Sequence, residues 1–124
     1  MLTITLPFPS PELFPNRVRG HWAKTGDIKA KAIADAYTIT YQAVSQYRGE
    51  WYPLTGDIPL QITFCPPDKR HRDLDNMLAA MKASLDGVAT ALTVNDKQFG
   101  PITILRGGTA RPACVVVQIG EDKV

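Results

Sequence analysis

Apolar and polar residues alternate one by one at the start of the chain, with Leu2, Ile4 and Leu6 set against Thr3 and Thr5. That is the period of a half-buried strand, and the prolines at 7, 9 and 11 end it. The stretch up to about Thr25 has no period and reads as a loop carrying Arg17, Arg19, His21, Trp22 and Lys24. From Asp27, read as an N-cap, to about Tyr47 the chain lacks Gly and Pro, and Ile33, Tyr37, Tyr41 and Val44 recur at helical spacing. The segment "EWYPLTGDIP" connects this helix to "LQITFCP", where Leu60, Ile62 and Phe64 alternate with Gln61 and Thr63 as a second strand.

Pro66 and Pro67 stop that strand, and Leu78, Met81, Leu85, Val88 and Leu92 then form one apolar stripe at three-four spacing, which predicts a second helix. Gly87 weakens this helix without forbidding it. "TVND" turns the chain, "FGPITILR" reads as a third strand, Gly107 and Gly108 supply turn conformations, and the β-branched "ACVVVQI" is a fourth strand. The order β-α-β-α-β-β predicts an α+β domain, a small mixed sheet packed with two helices. With 124 residues the chain is read as a single domain spanning residues 1–124.

Composition changes this picture little. A hydrophobic share of 44% and a charged share of 21% are those of an ordinary globular protein. A net charge of +2 is too small to attract nucleic acid by its total, so any such attraction rests on clustering. No basic leader precedes an apolar run and no apolar run reaches the roughly 20 residues of a membrane span, so a cytoplasmic location is expected. Cys65 and Cys114 show no metal-ligand spacing and are expected to be buried free thiols.

Charge does cluster in "KRHRDLDN", residues 69–76. In an extended segment Asp73 and Asp75 send both carboxylates to one side, whereas in a helix they diverge by about 200°. The pair therefore requires Asp73 and Leu74 to precede the second helix. Two like charges held that close favour a divalent cation, and oxygen-only ligation selects Mg²⁺ or Mn²⁺. The competing account is that Asp and Asn simply cap a helix start. Lys69, Arg70, His71 and Arg72 can hold a phosphate backbone beside such a metal, or form a solvated basic face. Asp96 is the best third carboxylate, although Asn95-Asp96 also reads as a plain turn and spacing alone leaves its distance from Asp73 open. Lys82 lies within about 20° of two whole turns from Asp75 and shares its helix face.

These residues resemble the RusA family of Holliday-junction resolvases, small phage and prophage endonucleases. The resemblance rests on "PPDKRHRDLDN", on a lysine in the following helix, on "NDKQF" after it and on the opening "LPFPSPELFPNRVRG". It implies a homodimer that binds four-way DNA junctions and, with Mg²⁺ or Mn²⁺, makes paired symmetric nicks in recombination and repair. It places metal-binding and catalytic roles on Asp73, Asp75 and Asp96, and the family's lysine on Lys82. That lysine is expected one turn after the second aspartate, where Ala79 stands, so the match to Lys82 is displaced by nearly a turn. DNA contacts are expected at Lys69, Arg70, His71, Arg72, Arg17, Arg19 and Lys24. A non-catalytic DNA-binding module and a nuclease for other branched DNA are the rival readings.

Overall fold

The structure, a computed structural model, describes residues 1–15, 22–47 and 56–120. Four strands, β1 (Leu2–Pro7), β2 (Ile58–Cys65), β3 (Phe99–Arg106) and β4 (Cys114–Ile119), form one sheet in the order β1-β4-β2-β3. β4 runs antiparallel to both β1 and β2, and β3 runs parallel to β2 at the sheet edge. A parallel neighbour needs a crossover, here supplied by α2 (Leu74–Ala80) and α3 (Lys82–Leu92). The long helix α1 (Trp22–Gln46) links β1 to β2 and packs on α3 and β1. The architecture is α+β, a small mixed sheet packed with helices.

Each strand buries alternate residues. Leu2, Ile4, Leu6, Ile58, Leu60, Ile62, Phe64, Val115, Val117 and Ile119 face the helices, and Met77, Met81, Leu85, Val88 and Leu92 meet them from the other side. Pro59 sits in β2 where the register to β3 shifts, a bulge that a residue without an N–H tolerates. The outward positions of β2 and β4 carry Gln61, bonded to Gln118, and the two cysteines.

Two expectations change, and the buried face of α1 is decided. The apolar stripe was to run through one helix, but Met81, with φ −89° and ψ −2°, breaks it into α2 and α3 while remaining fully buried. α1 begins at Trp22, so Asp27 lies inside the helix and is not its cap. Its recurring Ile33, Tyr37 and Tyr41 are exposed, 40%, 40% and 58% respectively. The buried face of α1 is instead built on the small Ala36 and Thr40. The reason is Gly87: a Cβ there would stand 2.3 Å from the Ile33 carbonyl oxygen, so α1 and α3 approach too closely for large side chains at the crossing. The same glycine that weakens the helix by propensity is what lets it pack.

Candidate metal and nucleic-acid site

β2 ends at Cys65 and the chain enters a basic loop that is organised by one ion pair. The Arg72 guanidinium lies 3.0 Å from Asp68 Oδ1 and donates to the carbonyls of Asp68 and Arg70 at 3.3 and 3.0 Å. Asp68 Oδ1 also accepts from the Arg70 N–H at 3.0 Å. Donation from the Arg72 side chain, and then from that N–H, holds the Asp68 carboxyl below the usual carboxylate range. Arg72 further stacks over the Phe8 ring at 5.9 Å. Of the expected phosphate contacts, Arg72 is thus the least exposed and the most engaged in shaping the loop, while the exposed Arg70 guanidinium lies 3.6 Å from Asp68 Oδ2.

Lys69, Arg70 and His71 remain exposed. With Arg72 and Arg106 they line a groove of ≈ 360 Å³ that Gly107 and Gly108 help to floor. Arg106, at the end of β3, donates to the Arg72 carbonyl at 3.1 Å and adds a cation that the sequence reading missed. Nothing in "ITILRGG" singles it out; only the pairing of Arg106 with Phe64 brings it beside the loop. Arg17 and Arg19 lie outside the described residues, as does the side chain of Lys24 in the first turn of α1.

Asp73 is extended, φ −70° and ψ 134°, as the carboxylate pair requires, but Leu74 is already helical. The helix therefore starts one residue earlier than the expected carboxylate pair places it. Asp73 takes the N-cap position without a side-chain cap bond, and its Oδ1 lies 3.2 Å from His71 Nε2. Asp75, in the first turn of α2, instead faces a second cleft of ≈ 370 Å³ together with Lys82, Asp86, Asp96, Leu78 and Ile102.

This cleft gathers three of the four residues expected to act together. Lys82 reaches it as the first residue of α3, after the break at Met81. Asp96 reaches it because Thr93, in left-handed conformation at φ 60°, ends α3 and a single 3₁₀ turn (Asp96–Gln98) follows. Asn95 holds that turn, accepting from the Lys97 N–H at 2.9 Å while its own N–H donates to Gln98 Oε1 at 3.0 Å. In "VND" the capping role thus falls to Asn95, leaving the Asp96 carboxylate for the cleft.

Asp86 is the fourth polar member, and the sequence reading passed over it. Four residues beyond Lys82, it lies on the same helical face, a signal that was available. Its carboxyl lines the same cleft as that of Asp96. Burial first, then repulsion and proton sharing with Asp96, push the Asp86 pKa up, while Lys82 opposes the rise. Among the described residues, no three Asp, Glu, His or Cys side chains form a group that could hold a metal ion. A Mg²⁺ ion commonly takes only one or two protein carboxylates and completes its shell with water and substrate phosphate.

No protein-family model matches the chain. A protein of Xylella fastidiosa, described as an uncharacterized protein, is 35% identical over 123 residues, covering 96% of this chain and 76% of its own. The chain belongs to the same family as that protein. No helix among the described residues is long and apolar enough to cross a membrane.

Proposed function

We propose that this protein is a divalent-metal-dependent endodeoxyribonuclease of the RusA type, cutting branched DNA and resolving four-way junctions. The observation that carries the reading is that Asp75, Lys82 and Asp96, drawn from three separate elements, line one cleft with Asp86. Beside it, α2 and β3 also wall the basic groove, through Met77 and Arg106. Ile102 in the cleft and Arg106 in the groove are four strand residues apart, about 13 Å, a span that a short run of DNA backbone covers. One DNA backbone can therefore occupy both.

One or two of Asp75, Asp86 and Asp96 would hold Mg²⁺ or Mn²⁺, with water and substrate phosphate completing its shell, and the ion would supply a lowered water pKa and positive charge at the scissile phosphate. Lys82 would neutralise negative charge building on that phosphate. Lys69, Arg70, His71 and Arg106 bind flanking phosphates, with Arg72 fixing the loop that presents them. Asp73 acts at one remove: paired with His71, it orients the ring toward the groove. Two symmetric cuts require two such sites, hence a homodimer. An enzyme of phage or prophage DNA would work in the bacterial cytoplasm.

The test is a synthetic four-way junction incubated with the protein in Mg²⁺ or Mn²⁺. Paired symmetric nicks are expected, and Asp75→Asn and Asp96→Asn should each lower single-turnover cleavage by about 10²-fold or more while junction binding persists. Binding without cleavage by the native chain under either ion would overturn the enzyme reading in favour of a DNA-binding module. Faster cutting of flaps or forks than of junctions would move the substrate and keep the chemistry.

A further inference from the structure

Outside the cleft and groove, the two cysteines form the other chemically reactive cluster. Cys65 ends β2 and Cys114 begins β4, and they are direct partners in the antiparallel register. Such partners have Cα atoms about 4.5–5.5 Å apart, inside the roughly 4.4–6.8 Å window that a disulfide spans without backbone movement. Both thiols are free and half-buried. They are not the fully buried thiols that the sequence suggests. Room for the sulfur comes from Gly107, where a Cβ would stand 2.8 Å from Cys65 Sγ.

The location gives the pair a consequence. Cys65 is followed directly by Pro66, Pro67 and Asp68, so it is the root of the basic loop. On the other side of the pair, Pro66 is tied back by the Ala110 N–H at 2.9 Å, and Phe8 is tied by its N–H to the Ala113 carbonyl at 3.4 Å. Phe8 is the ring on which Arg72 rests. A covalent link at Cys65–Cys114 would join the two chain segments from which the loop and its Phe8 support spring.

We propose that Cys65 and Cys114 are a reversible oxidation site, closing to a cross-strand disulfide that clamps the root of the phosphate-binding loop. With a hydroperoxide as oxidant, the thiolate of one cysteine attacks the peroxide oxygen, becoming a sulfenic acid and releasing water or an alcohol. The second thiolate attacks that sulfur and expels water, so two thiols lose two protons and two electrons to the peroxide. A dithiol reductant reverses the step by exchange. Burial and the neighbouring Cys114 raise the Cys65 pKa, so closure quickens as the solution becomes more alkaline.

The full-length chain treated with hydrogen peroxide should lose the mass of two hydrogen atoms as a monomer, lose both reactive thiols, and regain them in dithiothreitol. Cys114→Ser and Cys65→Ser should each abolish that species. Trypsin, which cuts after Lys69, Arg70 and Arg72, should cleave the oxidised loop several-fold more slowly than the reduced loop, and treated Cys114→Ser should show no such protection. Only intermolecular dimers or over-oxidised sulfur would overturn the site. An intramolecular disulfide with unchanged tryptic cleavage would overturn the clamp. Neither readout depends on nuclease activity, so failure here and failure of the functional reading are separable.

Discussion

Asp86 of α3 and Asp96 of the following 3₁₀ turn line one cleft with Asp75 and Lys82, and Asp96 lies near enough to push the Asp86 pKa up. Like charges do not stay so close without a compensating proton or cation. The relationship thus ties the pH behaviour of the fold to the proposed metal chemistry, and it can be measured without any substrate.

In metal-free buffer the raised Asp86 pKa means that the folded state binds a proton more tightly than the unfolded chain. Its contribution favours folding at low pH and is lost as pH rises from the ordinary value of 3.8 through the raised one. Asp86→Asn should therefore gain thermal stability relative to the native chain progressively across that window. A difference in Tm that stays constant with pH would refute the assignment.

Asp68 behaves with the opposite sign. Its carboxyl is held low by Arg72 and Arg70, so its contribution is present above 3.8 and disappears as pH falls through the depressed value. Asp68→Asn should expose residues 66–72 to protease at neutral pH, whereas in the native chain the same exposure should appear only in acid.

The basic groove separates cations that bind from one that builds. Lys69→Ala and Arg70→Ala should each weaken DNA binding about uniformly across sequences, reduce the salt slope of log K by about 1 and change Tm little, since the Arg70–Asp68 pair is exposed. Arg72→Ala should lower Tm as well, because it removes the ion pair to Asp68, two carbonyl contacts and the stacking on Phe8. Equal Tm values for all three variants would contradict this division.

At the crossing of α1 and α3, Gly87→Ala replaces the better helix breaker with the better helix former and should still destabilise by about 1–3 kcal/mol, since the added methyl meets the Ile33 carbonyl. Denaturant unfolding decides it, with a stabilised variant as the adverse result.

Thr40 lies against the same interface, fully buried, with its hydroxyl lacking a hydrogen-bond partner among the described residues. Thr40→Val keeps the shape and removes the unpaired group. A gain of about 1 kcal/mol or more in unfolding free energy is expected, and a loss would mean that the hydroxyl is satisfied in solution.

What the sequence determined by itself was local. Strand periodicity in "LTITL" and "LQITF", the β-branched run "CVVVQI" and the apolar stripe from Leu78 to Leu92 each carry their period within a few residues, so the elements and the α+β class were legible. The residue types of the site were legible too, because "KRHRDLDN" concentrates both signs of charge. What only the tertiary structure decided was which of those groups meet. The start of α2 at Leu74 turns Asp75 into the cleft and leaves Asp73 with His71. The break at Met81 and the parallel placement of β3 bring Lys82, Asp86 and Asp96 to it. The buried side of α1 was undecided for the same reason: Ile33, Tyr37 and Tyr41 have helical spacing on either face. Periodicity says that a helix has two sides, but which side is buried depends on how closely its neighbour, here Gly87, allows it to approach.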